Sequence, residues 1–400
     1  QEPELKKRYE ADARVKRIID IARRLEGVAR NAGIHAAGVV VADQPLVNFL
    51  PLYKAPGQDV LITQFDGPTV EKVGLLKMDF LGLRTLTILE RAKQLAERAT
   101  GKPIDLERID LADAKVYELF ARGDTRGIFQ FESGGMRDVI MRMKPNRIED
   151  LIAANALFRP GPMEYIPDYV ARKHGAAWTT PHSIMSEVLS ETYGIMVYQE
   201  QVSRIVNRLG GLELKAAFRL AKAISKKKMD MIEAMRGPFL DGCAKNGVKR
   251  GVGEQIFADI LKFGGYAFNK AHSTGYALVA HQTAWMKTYH PVEFMAALMT
   301  FEMSSTEKVA EYREECSAMG IGIEPPSVNT SEFDFVVESA KRRNTETPKS
   351  ENVETPSPLA DASTGATRAF RLFGVSAFRG TIRFGLGAIK NIGEKAVESI

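Results

Sequence analysis

The segment 74–84 places Lys77 and Asp79 among apolar residues. Lys77 and Asp79 are two residues apart, so on a β-strand both side chains point to the same face. The opposite face of that strand is apolar and consists of Leu76, Met78 and Phe80. A carboxylate beside an apolar core is costly to bury unless a cation neutralises it. Lys77 can supply that charge and a bound metal can supply more, so this segment is the first candidate for chemistry.

A second candidate is a row of cations with helical spacing. Four of them, at i, i+4, i+7 and i+11, share one helix face: Lys215, Arg219, Lys222 and Lys226. Lys227 and Lys228 extend the charge beyond that row. Like charges at this spacing repel unless an anion neutralises them. A solvated surface is one interpretation, but the lack of an acidic residue on this face favours phosphate binding.

The segment 262–272 combines glycines, aromatic rings and cationic or donor groups. Its glycines allow close backbone approach. Its rings are Tyr266 and Phe268, and its donors are Lys270 and His272. Such a set can stack a base or sugar and hold a phosphate. Core aromatics beside a turn explain the same residues equally well.

Four further motifs have a structural and a functional interpretation. Gln130 in the segment 126–133 and Arg159 in the segment 157–162 are polar residues at turns, where structural hydrogen bonding is the commoner role. His35, between two glycines, is interpreted in the same way. The run from Gly385 through Gly387 to Lys390 resembles part of a helix-hairpin-helix, which holds DNA phosphates with backbone amides, but a simple helix-entry turn fits it equally well.

The elements that must position these residues follow from length and pattern. At 400 residues, two or three folding units are expected. Residues 4–29 are predicted as one helix, residues 36–42, 60–65 and 75–80 as strands, and residues 85–99 as a helix. Helices and turns are expected to about residue 330, and residues 340–367, rich in Pro, Ser and Thr, are predicted to be a disordered linker.

Charge, cysteine spacing and the length of apolar runs argue against several classes of protein. The net charge of +5 permits a nucleic-acid partner without requiring one. Cys243 and Cys316 form no CxxC pair, which argues against a zinc site or disulfide framework and suits a cytoplasmic location. No apolar run approaches the roughly 20 residues of a membrane span. Because the chain begins with Gln1 and stops at Ile400 inside an apparent helix, we expect it to be a piece of a longer protein.

Taken together, eight phrases of the sequence resemble the bacterial replicative DNA polymerase III alpha subunit, a C-family DNA polymerase. They follow the order of that family and cover nearly the whole chain except the linker. The phrases are Arg30-Asn-Ala-Gly-Ile-His35, Thr63-Gln-Phe-Asp66, Lys77-Met-Asp-Phe-Leu-Gly-Leu-Arg84, Gly127-Ile-Phe-Gln130, Phe158-Arg-Pro-Gly-Pro162, Tyr193-Gly-Ile-Met-Val-Tyr-Gln-Glu-Gln201, Phe268-Asn-Lys-Ala-His272 and Gly385-Leu-Gly-Ala-Ile-Lys390.

The resemblance implies an α+β, mostly α fold: a nucleotidyltransferase-type palm segment of antiparallel β-strands, then a large helical fingers domain. The implied divisions are the end of the thumb at 1–30, the second palm segment at 31–83, the fingers at 84–330, a linker with a low-complexity insertion at 331–381, and the start of a helix-hairpin-helix and clamp-binding region at 382–400.

The resemblance also implies a DNA-directed DNA polymerase that extends a primer 3′ end with two Mg²⁺ ions held by three carboxylates. Asp79 matches the third carboxylate, and Lys77 matches a lysine that contacts the incoming nucleotide. The other two carboxylates belong to a motif outside this chain, so the 400-residue chain alone is not expected to polymerise DNA. Nucleotide contacts are expected from Lys222, Lys226, Tyr266, Asn269, Lys270, His272, Arg159 and Gln130. DNA contacts are expected from Lys215, Arg219, Lys227, Lys228, Gly385, Gly387 and Lys390.

The partners implied by the resemblance are primer–template DNA and deoxynucleoside triphosphates, with no membrane. A sliding clamp, a proofreading exonuclease and a clamp loader would bind through parts of the parent protein outside this chain. One departure affects the fingers helix, where the family usually has Leu-Arg-Arg-Ala and this chain has Leu220-Ala-Lys-Ala223. Lysine keeps the charge but loses bidentate phosphate geometry. Two alternatives therefore stay open: an error-prone paralogue of the same family, and a non-catalytic DNA-binding or assembly subunit that kept the fold.

Overall fold

The computed structural model describes residues 2–28, 33–35, 37–54, 56–57, 59–80, 82–225, 228–338 and 380–399. The chain divides into two compact units, which we call unit 1 (Gln1–Leu83) and unit 2 (Arg84–Ile400). Lys226, Lys227 and the predicted linker at 340–367 lie outside the described residues. The predicted α+β, mostly α fold class is confirmed, since small sheets accompany a mostly helical chain.

Unit 1 contains three helices and four short strands in its described part. In chain order they are α1 Pro3–Ala11, α2 Ala13–Leu25, β1 Gly38–Val41, β2 Leu52–Lys54, β3 Leu61–Thr63, α3 Gly67–Lys72 and β4 Leu76–Asp79. β1 pairs antiparallel with β4, so that Gly38 lies opposite Asp79 and Val40 opposite Lys77. β2 and β3 form a second antiparallel pair.

The prediction of one helix over residues 4–29 is wrong, because the chain breaks at Asp12. The backbone of Asp12 is extended, with φ −124° and ψ 115°, and its carboxylate accepts hydrogen bonds from the amides of Arg14 and Val15. An aspartate at this position caps the following helix more favourably than it continues the preceding one. The result is two helices, neither of which contains a buried residue.

The apolar face of β4 is exposed in unit 1, contrary to the prediction that it adjoins a core. The exposed fractions are 59% for Leu76, 43% for Met78 and 62% for Phe80. The buried core of this unit is small and consists of Leu50, Val70 and Leu75. A two-stranded sheet with so small a core leaves one face in solvent.

Unit 2 consists mainly of helices, followed by a small sheet. The helices are α4 Arg84–Thr100, α5 Ala114–Arg122, α6 Gly134–Met143, α7 Ile148–Leu157, α8 Ile166–Lys173, α9 Ser183–Val188, α10 Gln199–Arg208, α11 Leu214–Ser225, α12 Met229–Lys245, α13 Arg250–Gly264, α14 Lys270–Tyr289, α15 Pro291–Glu302, α16 Thr306–Ala318 and α17 Glu394–Glu398. The strands are β5 Gly322–Glu324, β6 Val336–Glu338 and β7 Thr381–Arg383. β7 lies between its neighbours, parallel to β5 and antiparallel to β6.

The long helix α14 is the organising element of unit 2. It packs against α4, α5, α7 and α15. Its small residues Ala277, Ala280 and Ala284 are fully buried, which allows the neighbouring helices to approach closely. α14 therefore determines where α4, α5, α7 and α15, and the loops that connect to them, lie in unit 2. No helix in the described ranges has the length and apolar character needed to cross a membrane.

Candidate functional site

The β1–β4 pair brings three polar side chains together in unit 1. The Lys77 ammonium donates a hydrogen bond to Asp79 Oδ1, which fits the predicted common face. His35 Nδ1 lies 3.6 Å from the same oxygen, so His35 belongs to this cluster. The Asp79 side chain is 48% exposed, which leaves room for another ligand.

Gly38 makes this clustering possible. A Cβ atom at this position would lie 2.5 Å from His35 Nδ1, 3.0 Å from Lys77 Cε and 3.4 Å from Asp79 Oδ1. Only glycine lets the three side chains close over the neighbouring strand. This role could not be predicted from sequence spacing, because Gly38 and its strand partner Asp79 are 41 residues apart.

Asp79 is held in its charged form by these neighbours. The hydrogen bond from Lys77 lowers the pKa of Asp79 below its ordinary value, against a weaker opposing effect of desolvation, and the charges of Lys77 and His35 lower it further. Carboxylate oxygens are the ligands that Mg²⁺ prefers. However, no group of three or more His, Cys, Asp or Glu in the described ranges has a metal-binding arrangement. Asp79 therefore fits as one magnesium ligand, and a complete site would need carboxylates from outside these residues.

Three residues of the predicted cationic helix face lie on α11, and the fourth, Lys226, lies outside the described residues. Lys215, Arg219 and Lys222 are exposed and form no ion pair with another described residue. Lys228, just before α12, is also exposed. Ala221, where the family usually has arginine, is only 6% exposed and packs into the core of this helical region.

Unit 2 contains an open cavity of about 650 Å³. Three of its lining residues were predicted from the sequence as site residues: Gln130, Arg159 and His272. The remaining lining residues are Glu132, Ser133, Met136, Asn155, Phe158, Phe268, Ser273, Tyr276 and Lys308. The volume falls within the range of roughly 300–1,000 Å³ that is typical of small-molecule sites.

Arg159 supplies the cation of this cavity. Its guanidinium carbon lies 4.0 Å from the ring centroid of Phe268, a cation–π contact that fixes the plane of the group. Nη2 donates a 3.4 Å hydrogen bond to the Tyr266 carbonyl. Nε is buried and has no hydrogen-bond partner in the described chain, and the same holds for Asn155 Nδ2. Buried donors without partners are rare in folded proteins, so these two atoms distinguish this wall of the cavity.

Gln130 reaches the cavity from a tight loop, Asp124–Glu132, which we call the Gln130 loop. Gly127 has φ +82° and Gln130 has φ +66°. A positive φ is uncommon for a residue other than glycine and is found where surrounding contacts impose it. Within the loop, the Gly127 amide donates to Glu132 Oε1 at 2.6 Å, and Thr125 Oγ1 donates to the Phe131 carbonyl at 2.6 Å.

Aromatic rings line the side of the cavity formed by α14. The His272 and Tyr276 ring centroids are 4.5 Å apart, and His272 makes an edge contact with Phe268 at 5.4 Å. Phe129 lies 5.1 Å from Tyr276 and so extends the stack to the Gln130 loop. These rings offer both faces and edges to a planar ligand.

The other nucleotide residues predicted in this segment have different surroundings. Asn269 caps α14, since its Oδ1 accepts a hydrogen bond from the His272 amide at 2.8 Å. The Lys270 ammonium is paired with Glu191 at 2.6 Å. Tyr266 is 48% exposed and covers Gly161, where a Cβ atom would lie 2.4 Å from its ring. These three residues are not among those that line the cavity.

The structure also identifies cavity residues that the sequence reasoning missed. Asn155 is the one polar residue in the apolar stretch 151–157 of α7, and that isolated polar residue was an available signal. Lys308 lies on α16 and pairs with Glu311 at 2.8 Å. Its place in the cavity wall could not be predicted from the sequence, because it depends on contacts between distant parts of the chain.

The glycines predicted to bind DNA phosphates have packing roles in the structure. A Cβ atom on Gly385 would lie 2.6 Å from the Asp334 carbonyl carbon, and one on Gly387 would lie 2.7 Å from the Phe333 ring. The Gly387 amide donates to the Phe333 carbonyl at 3.0 Å, so it is already occupied. Lys390 is exposed just before the chain reversal that leads into α17.

Comparison with protein families gives three matches. Residues 85–247 match the "Bacterial DNA polymerase III alpha subunit finger domain". Residues 1–82 match the "Bacterial DNA polymerase III alpha NTPase domain", and residues 320–400 match a "Helix-hairpin-helix motif".

Individual relatives agree with these matches. The chain is 40% identical to a DNA polymerase III subunit alpha of Thermus aquaticus, across 100% of this chain and 30% of that protein. The identity to the Escherichia coli K12 protein of the same name is 40%, over 100% of this chain and 32% of the relative. The identity to the Caulobacter vibrioides DNA polymerase III subunit alpha is 44%, over 85% of this chain and 30% of that protein. The chain thus spans about a third of the length of these relatives.

Proposed function

The chain belongs to the bacterial DNA polymerase III alpha subunit family, and on that basis we propose that it forms part of a DNA-directed DNA polymerase catalytic subunit. The parent protein would add deoxynucleotides to a primer 3′ end during chromosome replication. The observation that carries the proposal is the cavity in unit 2, where Gln130, Arg159 and His272 meet although they are distant in sequence.

In this proposal Asp79 is one ligand of a two-magnesium site, and the other carboxylates come from outside this chain. The bound metals would activate the primer hydroxyl and neutralise the triphosphate. Lys77 keeps Asp79 ionised and supplies a cation beside it. His35 adds a second nitrogen close to the carboxylate and limits the directions from which a ligand can approach Asp79.

The cavity is the proposed site of the incoming deoxynucleoside triphosphate. Arg159, packed against Phe268, offers its charge to a phosphate or a base edge. The His272–Tyr276 rings offer a stacking surface. Gln130 offers an amide that can both donate and accept a hydrogen bond. Lys222 and Lys226 are proposed as triphosphate contacts, and Tyr266, Asn269 and Lys270 as residues at the edge of the nucleotide site.

The exposed cations of α11 and its surroundings are the proposed DNA-backbone contacts. Lys215, Arg219 and Lys228 are exposed, as phosphate contacts must be. Lys227, Gly385, Gly387 and Lys390 complete the proposed DNA-binding set. Because the Gly387 amide is already bonded, phosphate binding near these glycines would depend on Lys390 and on other amides.

We propose that residues 1–30 are the end of the thumb, 31–83 the second palm segment, 84–330 the fingers, 331–381 a linker and 382–400 the start of a helix-hairpin-helix region. The ends of the proposed linker contribute β6 and Thr381 of β7 to the small sheet. The division between units 1 and 2 after Leu83 supports the palm–fingers boundary. The sliding clamp, the proofreading exonuclease and the clamp loader are proposed partners of the parent protein, which is proposed to be cytoplasmic.

Equilibrium dialysis of the chain with radiolabelled dATP and Mg²⁺ tests the nucleotide site. Arg159→Met should weaken binding about tenfold or more, because it removes a charge-assisted contact of roughly 1.5–3 kcal/mol. Arg208→Met is the matched control, since Arg208 pairs with Glu187 on the surface of the same unit. A wild-type chain that does not bind dATP, or an Arg159→Met variant that binds like wild type, contradicts the proposal.

A further inference from the structure

Lys287 is the feature of unit 2 that the nucleotide site leaves unexplained. It lies near the end of α14 and is only 2% exposed. Its ammonium donates three hydrogen bonds, at 2.9 Å to the Asp124 carbonyl, 2.7 Å to the Arg126 carbonyl and 2.7 Å to Glu315 Oε1. A lysine is almost never fully buried unless its charge is paired. Every proton of this ammonium has an acceptor, so the environment is built around a cation.

Two of the three acceptors belong to the Gln130 loop. The loop holds Gly127 at φ +82° and Gln130 at φ +66°, and such backbone persists only where neighbouring contacts impose it. One turn earlier on α14, Thr283 Oγ1 accepts a 3.3 Å hydrogen bond from the Phe129 amide. The same face of α14 therefore holds the loop at two points.

The third acceptor connects the loop to the opposite wall of the cavity. Glu315 lies on α16, which also carries the cavity residue Lys308. Arg126 Nη1 donates to the Glu311 carbonyl of this helix at 3.0 Å, and Tyr312 Oη donates to Glu132 at 3.3 Å. The Lys287 ammonium therefore links three elements. They are α14, which carries His272, the Gln130 loop and α16.

We propose that Lys287 is a positioning residue for nucleotide binding: its ammonium fixes the Gln130 loop against α16 so that Gln130, Glu132 and Lys308 keep their places around the cavity. This inference rests on the proposed nucleotide site. Lys287 itself touches no ligand in this scheme, because it is not among the lining residues. An apolar side chain of the same length would leave two buried carbonyls without this donor and Glu315 with only Arg126, at 4.0 Å, as a cationic neighbour.

Two measurements on the same chain test the proposal: dATP affinity by equilibrium dialysis, and hydrogen exchange of peptides covering residues 124–132. Lys287→Met should weaken dATP binding about tenfold, since displacements of about 1 Å can cost more than that, and should accelerate exchange in the loop about tenfold. Lys287→Arg keeps the charge and should give intermediate values for both quantities. Arg91→Met is the matched control, because it removes an ion pair with Asp334 that lies apart from the loop.

Thr283→Val is a second test that does not disturb the buried charge. It keeps the side-chain shape and removes the acceptor of the Phe129 amide, together with the hydrogen bond that Thr283 Oγ1 donates to the Ala280 carbonyl within α14. Exchange in the loop should therefore rise about threefold. If Lys287→Met fails to fold, Thr283→Val and Lys287→Arg decide the question.

The outcomes separate this inference from the proposed function. If wild type does not bind dATP, the nucleotide site is wrong, and loop exchange alone then decides whether Lys287 holds the loop. If wild type binds dATP but Lys287→Met lowers only the melting temperature, with affinity and loop exchange like those of Arg91→Met, the positioning role is overturned. Faster loop exchange with weaker binding, partly restored by arginine, supports it.

Discussion

Gln130 allows backbone strain and ligand contact to be measured separately. Its φ of +66° places a non-glycine residue in the left-handed region, and its exposed side chain lines the cavity. Gln130→Gly removes the strain of that conformation, roughly 1–2 kcal/mol, and adds a cost of roughly 0.5–1 kcal/mol for the greater freedom of glycine in the unfolded chain. The free energy of unfolding should therefore stay unchanged or rise by up to about 1.5 kcal/mol.

The same substitution should weaken nucleotide binding. Loss of one side-chain hydrogen bond of about 0.5–1.5 kcal/mol corresponds to a roughly three- to tenfold higher Kd for dATP. Lys144→Gly is the matched control, because Lys144 has φ +47° and is exposed but does not line the cavity. It should change stability like Gln130→Gly and leave the affinity for dATP unaltered.

Urea unfolding followed by tryptophan fluorescence measures the stability part of this prediction. Both tryptophans, Trp178 and Trp285, lie in unit 2 with Gln130, so the signal reports the relevant unit. Equilibrium dialysis measures the affinity. Destabilisation by more than about 1 kcal/mol would show that the Gln130 side chain supports the loop rather than straining it. Equal loss of affinity in both glycine variants would refute the assignment of Gln130 to the site.

Two further predictions concern stability. Gly161→Ala should destabilise unit 2 by about 1–3 kcal/mol more than Gly175→Ala in urea unfolding. The backbone strain is matched, since φ is +100° at Gly161 and +103° at Gly175, but only at Gly161 would the new Cβ meet a ring, that of Tyr266. Equal costs of the two substitutions would contradict this packing. Burial lowers the pKa of His281 to about 4 from an ordinary value of about 6.5, so its neutral form contributes stability that is lost as the pH falls from 6.5 towards 4. Between those pH values wild type should lose about 3 kcal/mol more than His281→Leu, and parallel pH profiles of the urea midpoint would contradict the neutral state of this histidine.

Local patterns predicted the elements of this fold well where neighbours in sequence determine them. The expected helix at 85–99 corresponds to Arg84–Thr100, and the three expected strands lie within 36–42, 60–65 and 75–80. The strand Leu52–Lys54 was missed, since three residues give too short a pattern. The break at Asp12 was missed because the apolar spacing continues through it, although an aspartate is a preferred cap.

The site was predictable only in part, because side-chain partners come from distant segments. Sequence spacing correctly placed Lys77 beside Asp79. It did not reveal that Glu191, 79 residues away, pairs with Lys270, nor that Asn269 is used as a helix cap. The buried environment of Lys287 likewise depends on carbonyls more than 160 residues away. Such contacts follow from helix packing, which a single sequence does not specify residue by residue.

The role of Asp79 is tested most directly by primer extension with the proposed parent polymerase carrying Asp79→Asn. The substitution keeps the size of the side chain and removes the negative charge proposed to bind magnesium, so the single-turnover extension rate should fall roughly a hundredfold or more. Asp59→Asn is the matched control, since Asp59 is an exposed carboxylate of unit 1 that also pairs with a lysine, Lys54, and it should extend primers at the wild-type rate. Extension by Asp79→Asn within a few-fold of wild type would contradict the assignment of this carboxylate to the polymerase active site.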